Sequence, residues 1–251
     1  MLIPALAAYI VGLCVGSFLT VVAHRLPRGE SFVGGRSHCV ACGETIGARD
    51  NLPVVSWALL RGRARCCGVA ISPRYPLTEF GVGVLYAAAV LRFGDDTAAL
   101  VLTLGLFTCL AAITITDLEL RIIPNRILAA AAVYALVAGV ALSPGGEPER
   151  LIAATAAGTF LLIVALIYPR GMGMGDVKLV AVMGLFLGRE VAPAVLIGIA
   201  AGALVGLGMI AVQGSSARKN AIPFGPFLAL GGVIAALWGE PLIDAYLDTF
   251  A

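Results

Sequence analysis

Charged side chains are scarce in this chain. Only 13% of its 251 residues are charged, while 60% are hydrophobic. A soluble domain of this size would carry nearly twice that charge. The net charge of +2 does not suggest a nucleic-acid partner. We therefore expect the chain to lie in a lipid bilayer, which a run of roughly 17–25 apolar residues can span.

The long apolar runs predict an all-α polytopic membrane protein with about eight transmembrane helices. They are placed near 2–24, 77–92, 97–116, 127–142, 151–168, 177–188, 191–213 and 224–247. The sixth run is the shortest, and the sequence leaves open whether it fully crosses the membrane. Three regions follow: a first transmembrane helix (1–24), a polar insertion (25–76) and a multi-helix membrane domain (77–251).

The first run also lacks the basic n-region of a removable signal peptide and is longer than the apolar core of one. Basic residues follow it instead, starting with Arg25 and Arg28. The positive-inside rule then puts the insertion in the cytoplasm and, with eight helices, both termini outside. The predicted inside loops carry fourteen Lys and Arg residues against three outside. Without a sixth crossing the split would be thirteen to four, so charge does not settle that helix.

Acidic residues are nearly absent from the spans, and two aspartates stand out at their ends. Asp117 ends the third run and Asp176 precedes the sixth, so the predicted topology brings both to the cytoplasmic face. A carboxylate at the centre of a membrane helix costs about 2.5–3.5 kcal/mol, which makes ionisable residues in the membrane functional candidates.

Two carboxyl groups that share a site can differ in protonation, so that one acts as acid and the other as base, as in aspartic proteases. The alternative is that each aspartate only caps a helix. Asp176 opens a helix, where a cap is favourable. Asp117 closes one, where capping explains little; it could instead begin the next segment or pair with Arg121 or Arg126.

The stretch "GMGMGD" (171–176) predicts a non-helical loop at the membrane edge. Irregular backbone is tolerated there when it is buried in protein or lines an aqueous cavity. Gly171, Gly173 and Gly175 would let a substrate backbone approach Asp176 closely. A dinucleotide fingerprint is excluded, because no glycine follows at the sixth position and no strand precedes. Lys178 could pair with a carboxylate or reach the lipid headgroups.

Six segments together carry a resemblance to a known family. They are "VGSFLTVVAHRLP" (15–27), "NLPVVSWALLRG" (51–62), "ISPRYPLTE" (71–79), "TDLELRIIPN" (116–125), "GMGMGDVKL" (171–179) and "IPFGPFLALGG" (222–232). In this order they resemble the bacterial type IV prepilin peptidases, which are bifunctional leader peptidase/N-methyltransferases. The resemblance covers nearly the whole chain.

The resemblance implies a GxGD-type membrane aspartic endopeptidase of the inner membrane with Asp117 and Asp176 as its catalytic pair. Its substrates would be type IV prepilins or type II secretion pseudopilins, whose short basic leader is removed at the cytoplasmic face. Many members then methylate the new N-terminus with S-adenosylmethionine. The insertion favours this second activity, although 25–76 has no nucleotide-binding fingerprint and leaves the cofactor-binding residues unknown.

The cysteines of the insertion suggest a structural zinc site. Cys39 and Cys42 form a CxxC pair, and Cys66 and Cys67 follow about two dozen residues later. Disulfides are disfavoured in the cytoplasm, so four thiolates around zinc are the usual interpretation. The family pattern has two CxxC pairs, and Ala64 stands at the third cysteine position here. Cys66 or His38 could complete the site, or the site has decayed and its thiols are free.

Three other functions are alternatives to the bifunctional peptidase/methyltransferase, and the intact aspartates argue against the last of them, a non-catalytic scaffold. A proton-coupled transporter would need acidic residues at mid-span, which are nearly absent here. A peptidase-only protein or a non-catalytic pilus-assembly scaffold would keep the fold.

Membrane lipid is an expected partner, and a homo-oligomer is left open. The sequence does not identify the particular prepilin.

Overall fold

A computed structural model describes residues 1–31, 37–168, 172–213 and 223–250. Within these ranges there are nine α-helices and no β-strand. The helices are α1 (Leu2–Arg25), α2 (Val55–Leu59), α3 (Arg74–Phe93), α4 (Thr97–Leu120), α5 (Asn125–Leu142), α6 (Glu147–Ile167), α7 (Met174–Leu187), α8 (Val191–Gln213) and α9 (Gly225–Phe250). The predicted all-α polytopic fold is confirmed, because seven of the described helical stretches are long and apolar enough to cross a membrane.

The difference between seven stretches and the eight predicted spans lies in α7. Helices α7 and α8 follow each other so closely that together they form one apolar stretch, Met174–Val212. Alone, α7 has 14 residues and is about 21 Å long, shorter than the roughly 30 Å hydrocarbon layer. It begins at Met174 rather than 177, so Asp176 lies inside its first turn. Likewise α4 continues past 116 and includes Asp117.

The chain forms two compact units, Met1–Gly94 and Asp95–Ala251. In the first unit, α1 packs along α3. Glycines make this contact close: a Cβ on Gly16 would lie 2.8 Å from the Cα of Glu79. Small residues at such positions let two membrane helices approach backbone to backbone. The division into 1–24, 25–76 and 77–251 stays a prediction.

The insertion between α1 and α3 is built from short turns around α2. The Trp57 indole N–H donates to the carbonyl oxygen of Ile71 at 3.0 Å. Val54 has a φ of 61°, and its N–H donates to Oε2 of the buried Glu79 at 2.7 Å. Arg65 makes an ion pair of 2.8 Å with Asp50, and this guanidinium lowers the pKa of the Asp50 carboxyl. The insertion is thus anchored to α3 by a carboxylate.

In the second unit, α4 packs against α5, α7 and α9, while α6 packs along α7 and α8 along α9. The largest fully buried side chains of the described residues lie here, on α4, α6, α7 and α9; they are Phe107, Leu106, Leu110, Ile113, Leu161, Leu179, Met183, Leu228, Val180 and Thr116. This core surrounds the end of α4 on which Asp117 lies.

Candidate active site

Asp117 lies in the last turn of α4 and is only 6% exposed. Its neighbours in sequence point elsewhere: Leu118 is 53% exposed and Glu119 is exposed as well. Glu119 is therefore turned away from Asp117, as helical spacing predicts. Asp117 belongs to α4 and does not begin the next segment, and no ion pair among the described residues joins it to Arg121 or Arg126.

The Asp117 carboxylate is held by the start of another helix. The backbone N–H of Gly225, the first residue of α9, donates to Oδ2 of Asp117 at 2.8 Å. At the end of α4, Arg121 adopts a left-handed conformation with a φ of 56°, and its N–H donates to the Asp117 carbonyl oxygen at 3.0 Å. The chain turns sharply at this point towards Ile123.

Asp176 is the second buried aspartate, 9% exposed, in the first turn of α7. Its Oδ2 accepts a hydrogen bond of 3.2 Å from the backbone N–H of Gly173. This is the helix-capping contact that the sequence left open as an alternative. An ordinary cap at a helix start is solvated, whereas this carboxylate is buried in the second unit.

The structure brings the two aspartates together. Asp117 and Asp176 lie close enough to interact electrostatically, and the helices that carry them pack against each other. The segment after α4 also reaches the start of α7, because a Cβ on Gly175 would lie 2.9 Å from the Cβ of Ile123. Two acidic groups 59 positions apart in sequence thus share one site.

The other predicted loop residues have different outcomes. Gly171 lies outside the described residues. Gly173 and Gly175 are both at this site, the first as a backbone donor and the second against Ile123. The Lys178 ammonium donates to Oδ1 of Asn125 at 3.0 Å on the surface of the protein, so its hydrogen bond is to an amide rather than to a carboxylate.

Two residues of this site were missed by reasoning from the sequence. Gly225 supplies a backbone donor, and Asn125 holds Lys178. Both lie within segments that carry the family resemblance, "IPFGPFLALGG" and "TDLELRIIPN". A backbone N–H has no signature in the sequence, so only the segment as a whole could have drawn attention to Gly225.

The four cysteines of the insertion form a separate cluster. The ligand atoms of Cys39, Cys42, Cys66 and Cys67 all lie within 4.8 Å of one another. The Sγ atoms of Cys39 and Cys67 are 3.7 Å apart, and those of Cys42 and Cys66 are 3.3 Å apart. Four thiolates at a Zn–S distance of 2.3 Å in a tetrahedron would be about 3.8 Å apart. The donor set and its spacing therefore fit a tetrahedral zinc ion.

Two matching turns hold this cluster. In the first, the Cys39 N–H donates to the Glu44 carbonyl and the Gly43 N–H donates back to Cys39, both at 2.8 Å. In the second, the Ala64 N–H donates to Val69 and the Gly68 N–H donates back to Ala64, also at 2.8 Å. Ala64 therefore occupies the position that Cys39 occupies in the first turn, and Cys67 corresponds to Cys42.

Hydrogen bonds make the thiols of the cluster unequal. The backbone N–H groups of Cys42 and Ala41 lower the pKa of Cys39 to about 6. Contact with the Cys42 thiol raises the pKa of Cys66 to about 12. The lowered pKa of Cys39 favours the thiolate, the form in which cysteine binds metals.

Comparison with known proteins matches both parts of the chain. Residues 10–93 match the bacterial peptidase A24 N-terminal domain, and residues 104–207 match the type IV leader peptidase family. No solved structure matches the chain significantly. The first matched region contains the insertion with its cysteines, and the second contains Asp117 and Asp176.

Curated relatives align with the chain over almost its full length. A prepilin leader peptidase/N-methyltransferase of Bacillus subtilis is 34% identical over 95% of this chain and 96% of its own. Proteins of the same name from Burkholderia pseudomallei and Pseudomonas putida are each 35% identical, over 93% and 94% of this chain and 85% and 91% of their own.

Proposed function

This chain belongs to the type IV leader peptidase family, and from that premise we propose that it removes the basic leader of type IV prepilins or pseudopilins with Asp117 and Asp176 as its acid/base pair. The predicted family and the predicted enzyme class are both confirmed by the relatives and the family match. With its apolar helices, the chain is a multi-pass inner-membrane protein.

One observation carries the proposed mechanism: two buried aspartates lie on helices that pack against each other, and each carboxylate is oriented by a backbone N–H. The ionised carboxylate takes a proton from water as the water oxygen attacks the scissile carbonyl carbon. The protonated carboxyl group gives its proton to the carbonyl oxygen. When the C–N bond breaks, a proton passes to the leaving amine. This cycle needs neither a metal nor a covalent intermediate.

The membrane position of the pair fits the substrate class. A leader with basic residues stays in the cytoplasm while the apolar helix that follows it enters the bilayer, so the scissile bond stops at the interface. The excess of basic residues in the predicted inside loops supports an active site on that face. Because those loops are themselves basic, we expect the apolar helix, rather than surface charge, to supply most of the binding energy.

Substitution of the two aspartates tests this proposal. Asp117→Asn and Asp176→Asn should each reduce leader removal to background, since an amide can neither take nor give the required proton at neutral pH. The exposed Glu119 provides a matched control, and Glu119→Gln should leave cleavage unchanged. Each variant is coexpressed with a prepilin, and the product is measured by intact mass. Normal processing by either Asn variant would refute the acid/base pair.

We also propose that the chain methylates the new N-terminus. When bound, S-adenosylmethionine supplies an electrophilic methyl group for the free amine. The relatives named above carry N-methyltransferase in their names, and the insertion is present here. No residue of this chain is assigned to the methyl donor. The same intact-mass measurement decides between a bifunctional enzyme and a peptidase alone, because methylation adds about 14 Da to the cleaved product.

The cysteine cluster is proposed to hold a structural zinc ion through Cys39, Cys42, Cys66 and Cys67. Its four sulfur atoms leave no open coordination position, which is typical of a structural rather than a catalytic site. The metal would fix the two turns of the insertion to each other. We expect Cys42→Ser to lower zinc content and methylation while leader cleavage continues.

A further inference from the structure

The Gly225 backbone lies directly against the Asp117 carboxylate, with no space for a side chain between them. The Gly225 N–H donates to Oδ2 at 2.8 Å. A Cβ added to Gly225 would lie 2.7 Å from that same oxygen, 3.3 Å from the carboxyl carbon and 3.4 Å from the Asp117 Cβ. Real Cβ atoms do not approach oxygen so closely, so any other residue at position 225 would displace the carboxylate.

Few backbone N–H groups at the start of α9 are available to the Asp117 carboxylate. The first N–H groups of a helix have no partner within the helix. Pro226, the second residue of α9, has no N–H at all. The N–H groups of Phe227 and Leu228 both donate to the Phe224 carbonyl, at 3.0 and 3.2 Å. Gly225 is therefore the donor in this turn that reaches Asp117.

This donor is fixed in place by the packing of α9. Leu228, one turn further on, is fully buried, and α9 packs against both α4 and α8. A Cβ on Gly231 would lie 2.0 Å from the Ala194 carbonyl oxygen, which shows how closely α9 approaches α8. A rigid helix thus presents one N–H to one oxygen of Asp117.

The hydrogen bond makes the two oxygens of Asp117 different. In a carboxylic acid the carbonyl-type oxygen is the better acceptor, so an N–H to Oδ2 directs a proton on Asp117 to Oδ1. Oδ1 is then the oxygen that remains for water, substrate or Asp176. Displacement of a catalytic group by about 1 Å can reduce a rate about 10²-fold.

We infer that Gly225 is a positioning residue, which holds Oδ2 of Asp117 so that Oδ1 performs the proton transfer. This inference rests on the proposed catalytic role of Asp117. The segment "FGPF" (224–227) contains neither catalytic aspartate, and this inference gives it a role in catalysis.

Gly225→Ala tests the inference. We expect kcat for leader removal to fall about 10²-fold while KM stays within twofold, because the substrate surface is unchanged. The matched control is Gly206→Ala in α8, where an added Cβ meets nothing within 4 Å; it should leave both constants unchanged. A normal kcat for Gly225→Ala, or a rise in KM with no loss of kcat, would overturn the inference.

A stability comparison separates this effect from damage to α9 itself. Gly225→Ala should lower the melting temperature when Asp117 is present but not in an Asp117→Ala background, where the added methyl group has space. An equal loss of melting temperature in both backgrounds, or failure of both variants to accumulate, would show that the substitution disrupts the start of α9 itself. Either result would overturn the inference. If Asp117→Asn still cleaves prepilin, it is the proposed function that fails.

Discussion

The two buried carboxylates are only partly satisfied by the protein. An ionised carboxylate has about four acceptor positions. Among the described residues, the hydrogen bonds to the side chains of Asp117 and Asp176 come from Gly225 and Gly173, one backbone N–H each. The remaining lone pairs are available to water, and a protonated carboxyl group of the pair can donate to a substrate carbonyl oxygen. A residue whose burial served only stability would have more of its acceptor capacity filled.

The cysteine cluster leads to a prediction about which residue completes it. Cys66→Ser should abolish zinc binding, because it removes the thiolate that stands in for the absent cysteine at position 64. Adding Ala64→Cys to that variant should restore one zinc per chain, since Ala64 matches Cys39 in its turn. Metal content of the purified protein, measured by mass spectrometry, checks both results.

The control is Cys14→Ser, because Cys14 lies in α1 and outside the cluster. It should keep its zinc. A double variant that stays free of zinc would contradict the correspondence between the two turns. Zinc retained in Cys66→Ser would instead exclude Cys66 from the ligand set.

At the level of elements, apolar runs were enough to locate the membrane helices but not their ends. The predicted third and sixth spans stopped short of Asp117 and Asp176, because a buried polar residue resembles a loop residue when only hydropathy is considered. The meeting of the two aspartates could be predicted, since it follows from the order of the helices.

Other contacts of the two sites had no signal in the sequence. The Gly225 donor is separated from Asp117 by 108 positions and uses a backbone group that every residue except proline has. Cys66 and Cys67 are adjacent and do not form a CxxC pair, and only the distances between the sulfur atoms show that both reach the cluster. Long-range backbone contacts of this kind depend on the packed fold.

The attachment of the insertion to α3 depends on Glu79. Its carboxylate accepts the N–H of Val54, and Val54 is a β-branched residue at a positive φ, which is a strained conformation. The Val55 N–H also donates to the Pro53 carbonyl at 2.6 Å, closing a three-residue turn around Val54. Without the Glu79 carboxylate, this partly buried N–H would lose its acceptor, and the strained turn would lose the contact that holds it.

We therefore predict that Glu79→Ala destabilises the insertion by about 1 kcal/mol, the low end of the cost of an unpaired buried donor, because this donor is only partly buried. Limited proteolysis of the purified protein should show faster cleavage within 25–76. Glu79→Gln keeps an acceptor oxygen and should behave nearly as the native protein does. The exposed Glu30 provides a control, and Glu30→Ala should have no effect. Equal protection of Glu79→Ala and the native chain would contradict this role.

At the scale of the whole molecule, the main question is how often the chain crosses the membrane. Helix α7 is too short to span by length alone, yet its neighbours indicate how far it reaches. Its N-terminal end carries Asp176, and just beyond its C-terminal end the Arg189 N–H donates to the Glu149 carboxylate at 3.2 Å. Glu149 lies in the first turn of α6. Helix α7 thus runs back along α6 to the level at which α6 begins.

Polar contacts gather at that level. The Arg189 guanidinium lies 3.5 Å from the Glu240 carboxylate of α9, and Arg150 pairs with Glu147 at 2.8 Å. Ionised groups concentrate where a helix bundle meets water, because they are costly in hydrocarbon. We therefore expect the far end of α7 to lie at the opposite membrane face from Asp176, which would be a full crossing despite the length of the helix.

A full crossing by α7 makes the number of crossings even, so we predict that the end of α9 lies outside, on the same side as the N-terminus. Alkaline phosphatase fused after α9 should be active, since it matures only outside the cytoplasm, and green fluorescent protein at the same point should be dark. Fusions after Tyr168 should give the reverse, because the predicted topology has α6 returning the chain to the cytoplasm. A fluorescent, phosphatase-negative fusion after α9 would mean seven crossings, with α7 and α8 acting as a single membrane segment.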